Sequence, residues 1–114
     1  MKSGLILSVI EITGNSACIT AENGQRVYQR IVAAMNKNQI IELSFNNIRY
    51  MTPAFLNAAI GQLYSVFDQE VICSRLKIKD IETINLELLK RVTENAKEYF
   101  KVIKLRQALA ARRN

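Results

Sequence analysis

Histidine is absent from this sequence, and so is tryptophan; proline occurs once and cysteine twice. Without histidine the chain has no Ser-His-Asp triad, no Cys-His dyad, no histidine general base and no imidazole metal ligand. Its acids do not fill the gap, since Asp68, Glu70, Asp80 and Glu82 flank predicted elements as ordinary solvated charges. We therefore expect no enzyme, no cofactor and no metal. Cys18 and Cys73 lie far apart with no CxxC spacing, so both are expected to be small buried hydrophobes rather than a redox pair. No long apolar run survives inspection. Leu5 to Ile12 is broken by Ser8 and Glu11, and the uncharged stretch from Tyr50 to Phe67 carries Thr, Pro, Asn, Gly, Gln and Ser. Neither suits a signal peptide or a membrane span, and the expectation is a cytoplasmic protein without membrane contact.

Positive charge is concentrated at one end. Of the +6 net charge, Lys101, Lys104, Arg106, Arg112 and Arg113 supply five, in a segment with no acid. The body is nearly neutral, so a nucleic-acid-binding globular face is not expected, although a basic tail suits phosphate. The boundaries read are a domain over 1–100 and a basic helix end or tail over 101–114. One domain of this length buries enough surface to fold without a disulfide or a metal.

The stretch from Gln39 to Phe67 organises the rest. Ile41, Leu43 and Phe45 alternate with Glu42 and Ser44 as in a strand, and Asn46-Asn47 favours a bend. Thr52 then caps a helix with Pro53 at its first position, where a missing amide hydrogen costs nothing. Leu56, Ile60, Leu63 and Phe67 form its stripe, with Phe55, Ala58 and Ala59 off it. A helix this neutral is either buried or offered to a partner.

Upstream, Gly4 to Ile12 reads as a strand and residues 13–16 as a turn, with a short extended piece over 17–20. Thr20 caps an amphipathic helix over 21–36 with Val27, Ile31 and Met35 on its core face; Gly24 in its first turns points to close packing. Downstream, residues 68–74 read equally as loop or helical turn. Arg75 to Ile81 alternates apolar with lysine, the pattern of an edge strand. Asn85 reads as the cap of a last helix, braced by a Glu87–Arg91 pair and running past Phe100 into a frayed basic end. The strand-helix-strand order predicts an α/β fold with a parallel crossover.

The stretch LSFNNIRYMTPAFLNAAIGQL resembles the core of STAS domains, the fold of bacterial anti-sigma-factor antagonists, and more closely the STAS-like domains of unassigned function. Leu43, Phe45, Ile48, Phe55, Gly61 and Leu63 carry the match, joined by Thr20, Gly24 and the strand over 75–81. The resemblance covers most of residues 5–100. It implies a STAS-like α/β fold with a small mixed sheet of about four strands and helices packed on it. It also implies a regulatory module that meets a protein partner, such as a kinase-like ATPase, through the strand-to-helix loop and the start of the central helix. On this chain that face is Asn46, Asn47, Arg49, Tyr50, Thr52, Phe55 and Asn57, with Phe55 and Tyr50 as anchors. Ser44 stands where the family often has an acid. Pro53 stands where the antagonists carry their regulatory serine, so the usual phospho-switch is excluded and Thr52 is the one hydroxyl left nearby. Two alternatives share the chain: nucleic-acid binding by Lys101, Lys104, Arg106, Arg112 and Arg113, and an anion or nucleotide phosphate on free amides near Phe55 and Leu56. A homodimer or the C-terminal helix is an alternative cover for Phe55.

Overall fold

The computed structural model describes residues 4–112. A short strand β1 (Gly4–Ser8) opens the chain, and α1 (Val9–Thr13) follows it directly. The strand expected to reach Ile12 therefore ends four residues early. Its neighbour runs out at Ser44, which faces Ser8 in the register. The Ser8 hydroxyl accepts the Glu11 amide at 3.3 Å, starting a helical turn that Gly14 closes at a φ of 71°. Next come β2 (Ala17–Cys18) and α2 (Ala21–Asn36), the latter capped by Thr20 as expected. Strand β3 (Ile40–Ser44) leads into a β-turn in which the Ile48 amide donates to the Phe45 carbonyl at 3.0 Å and Asn47 takes a φ of 64°. Strand β4 (Tyr50–Met51) is as brief as β2.

The sheet differs from the one implied by resemblance. It is parallel throughout and split, with a three-stranded sheet in the order β1-β3-β5 and a two-stranded ribbon of β2 and β4. Strand β5 (Leu76–Lys79) lies at the edge, as its outward Lys77 and Lys79 predicted. Along the three strands Leu7, Ile41, Leu43 and Leu76 share the buried face, while Ile6, Lys77 and Lys79 look outward.

The central helix α3 covers residues 53–66 and is not uniform. Pro53–Leu56 is α-helical, Asn57–Gly61 is π-helical, and Leu63–Val66 is α-helical again. Phe55, Leu56, Ala59, Ile60 and Leu63 stand at helical spacing on one face and are all buried. The helix is neutral because it lies between α2 on one side and the last helix on the other. Residues 68–74, open between loop and helix on sequence, form most of α4 (Gln69–Arg75).

The last helix, α5 (Thr83–Arg112), is 30 residues long and continues through residue 100 without a break. It begins two residues ahead of Asn85. That residue is not a cap: it is the one buried polar residue among those described, and its amide donates to the Arg49 carbonyl at 3.5 Å. The expected Glu87–Arg91 pair does not form; the ion pair among the described residues is Lys97–Glu94 at 3.2 Å. Cys18 is buried, but Cys73 is exposed, against the expectation of two buried thiols.

Candidate functional site

Strand β3 delivers the chain to one end of the sheet, and the turn at Asn46-Asn47 carries it back over the ribbon. There Ala17 faces Tyr50 and Cys18 faces Met51. Because side chains alternate, Cys18 and Met51 enter the core while Tyr50 and the following Ile19 stay on the outer face. Tyr50 is 57% exposed and Ile19 49%. Asn46, Asn47 and Arg49 of the adjoining turn are exposed, as is Asn57 on α3. Ile19 was missed on sequence, since a lone apolar residue in so short an extended piece has no periodicity to give it a face.

The backbone beneath this face is held from several directions. The Arg49 amide donates to the Ser16 carbonyl at 2.9 Å, and the Thr52 amide to the Cys18 carbonyl at 3.2 Å. The Thr52 hydroxyl donates to the Ile19 carbonyl and accepts the Phe55 amide at 3.2 Å. One side chain thus caps α3 and straps it to β2. Asn85 reaches in from α5 to the Arg49 carbonyl.

Two expectations about this face are corrected. Phe55 is 0% exposed and sits in the core, so it is no surface anchor; the turn of helix that carries it is pressed against α2, which leaves it no route to solvent. The amides at the start of α3 are not free either. Phe55 donates to the Thr52 hydroxyl and Leu56 to the Thr52 carbonyl, which removes the basis for an anion or nucleotide site there. Thr52 itself is half-buried with its hydroxyl engaged on both sides.

Beside the turn a polar cleft of about 470 Å³ is lined by Asn46, Asn47, Arg49, Asp80 and Glu82, over Phe45. The Ser44 hydroxyl donates to the carboxylate of Asp80, just past β5, at 2.8 Å. A carboxylate at position 44 would face it with like charge.

The basic residues of the C-terminal segment lie elsewhere. Lys101, Lys104, Arg106 and Arg112 are exposed on α5, well removed in sequence and element from the ribbon; Arg113 is outside the described residues. Among the described residues, two groups titrate away from their ordinary values. Burial pushes the Cys18 thiol up, partly offset by its hydrogen bond to Thr13. Burial also pushes the Tyr64 phenol up, partly offset by Lys97. Neither belongs to the exposed face. Among the described residues no group of three or more His, Cys, Asp or Glu is arranged to hold a metal ion, and no helix is long and apolar enough to cross a membrane.

Comparison with known proteins gives one match. A protein-family model described as a STAS-like domain of unknown function matches residues 23–85, from the first turn of α2 into the first turn of α5 and more than half of the chain. No curated protein and no solved structure matches.

Proposed function

The chain belongs to the family of STAS-like domains of unknown function, and on that premise we propose that it is a non-catalytic regulatory module that binds a protein partner through the outer face of the β2–β4 ribbon and the adjoining turn. The observation that carries this reading is the exposed pair Tyr50 and Ile19 on a backbone pinned by β2, α3 and α5. A large exposed aromatic with Arg49 beside it has the composition of an interface anchor. The hydrogen-bonded backbone that carries it lowers the entropic cost of association. Asn47, Arg49, Tyr50, Thr52 and Asn57 remain in the proposed face, Ile19 joins it, and Phe55 leaves it. By resemblance to the anti-sigma-factor antagonists, the class of partner is a kinase-like ATPase. With Pro53 at the usual serine position, the complex would be controlled by something other than that phosphorylation.

The test is affinity capture from host lysate with wild type and Tyr50→Ala, with a parallel nuclease-treated sample, followed by calorimetric titration of the purified partner. The expected result is a nuclease-resistant protein whose affinity falls by about 1–3 kcal/mol with Tyr50→Ala. Equal affinity for both chains removes the face from the interface. Capture of nuclease-sensitive material alone would move the function to the basic residues of α5.

A further inference from the structure

Helix α5 carries a buried apolar face and a second line of positions that is apolar at its two ends and polar between them. Leu89, Val92 and Ala96 form the first and are buried against the body. The second runs from Ile84 to Leu109, with Ile84 72% exposed and Leu105 60%, while Leu88 is half-buried and also touches the core. Its positions are Ile84, Leu88, Arg91, Asn95, Glu98, Val102, Leu105 and Leu109, and successive spacings alternate between four and three residues. That is the repeat of a coiled-coil seam, about 38 Å long at the helical rise. Beyond Phe100 the helix stands clear of the body, with every described side chain exposed except half-buried Ile103. A dozen residues of helix without packing are marginally stable in water.

We propose that this seam pairs with the same seam of a second copy of the chain, in antiparallel orientation, to form a two-fold symmetric dimer. The order of residues along the seam selects both the partner and the direction. When Ile84 is laid against the partner's Leu109, Leu88 meets the partner's Leu105, Arg91 meets the partner's Val102, and Asn95 meets the partner's Glu98. Apolar layers close both ends and polar layers occupy the middle. There the methylene stem of Arg91 covers a valine, and its guanidinium lies one turn from the partner's Glu98. On the flank that borders the cleft shared with Tyr64, Phe67 and Asp68, Glu94 comes opposite the partner's Lys101. The Glu94 carboxylate meets Lys97 of its own helix at 3.2 Å and is still well exposed. A parallel pair would instead stack Arg91 on the partner's Arg91 and Glu98 on the partner's Glu98, like charges in a desolvated seam. An anionic membrane fits less well, because Glu98 interrupts the apolar line that would enter the headgroups.

Sedimentation of the full chain over micromolar to millimolar concentrations tests this. The expected result is a species of twice the 13.0 kDa chain mass. Leu105→Glu combined with Leu109→Glu should give a monomer whose thermal unfolding remains cooperative, since both side chains are exposed. Glu94→Lys and Lys101→Glu should each raise the dimer dissociation constant a few-fold, and the double exchange should restore it. A wild type that stays monomeric overturns the proposal, and its co-sedimentation with phosphatidylserine vesicles would make the seam a lipid contact. A dimer indifferent to the leucine substitutions overturns the surface. Failure of the double exchange to restore association overturns the antiparallel register.

Discussion

Gly24 of α2 lies against the carbonyl oxygen of Phe55 in α3, so near that a Cβ added at Gly24 would stand 2.3 Å from that oxygen and 2.7 Å from the Ala58 Cβ. This contact brings the two helices together at the turn that carries the buried Phe55. Gly24→Ala gains about 1 kcal/mol of helix propensity, but it must push α2 off the backbone of α3. The expected outcome is a net loss of about 1–3 kcal/mol, the range for overpacking a tight core, read by urea denaturation. Unchanged or increased stability would mean that the helices separate easily.

Phe55 and Tyr50 should respond oppositely to truncation. Phe55→Ala removes a fully buried ring and is expected to cost about 3–5 kcal/mol of folding stability. Tyr50→Ala at an exposed site should stay within about 0.5 kcal/mol of wild type. Chemical denaturation of the two variants side by side checks the assignment of one residue to the core and the other to the surface.

Thr52 should act through its hydroxyl alone. Thr52→Val keeps the shape and loses both the cap on Phe55 and the strap to Ile19; the expected cost is about 1–2 kcal/mol. Thr52→Ser should recover most of it. If valine and serine behave alike in thermal melts, the two hydrogen bonds contribute little.

The cysteines should separate cleanly in a native thiol titration. Cys73 is exposed and should react with Ellman's reagent in the folded protein, whereas Cys18 is buried and should react only on unfolding. Rapid reaction of both thiols would show that the Thr13–Cys18 corner opens readily.

Burial of Cys18 and Tyr64 also predicts a pH dependence. Both folded groups ionise above their ordinary values, so the unfolded chain loses these protons first as pH rises. Their contribution to stability is complete below the ordinary thiol value of 9.0 and is lost as pH climbs through the raised values. Stability measured by urea titration should therefore decline on the alkaline side. Cys18→Ala should flatten part of that decline; an identical slope would remove Cys18 as a source.

Local signals in the sequence determined much of the framework. The alternation of Ile41, Leu43 and Phe45, the Asn46-Asn47 bend, the Thr20 and Thr52 caps and the lysines of β5 all act within a few residues of where they stand, so each could be read in place. The same holds for the family, since the matching residues surround that framework. What depended on partners distant in the chain was not legible. Val9 to Ile12 has the composition of a strand, yet it turns helical because β3 ends at Ser44 and offers it no further pairing. Phe55 looked like a surface aromatic because its burial depends on α2 packing across this turn, where Gly24 meets the Phe55 carbonyl. Ile19 acquired an outer face only when β2 paired with β4. Period and capping are properties of consecutive residues; which side of an element meets solvent is fixed by what packs against the other side, and that was decided by the tertiary structure alone.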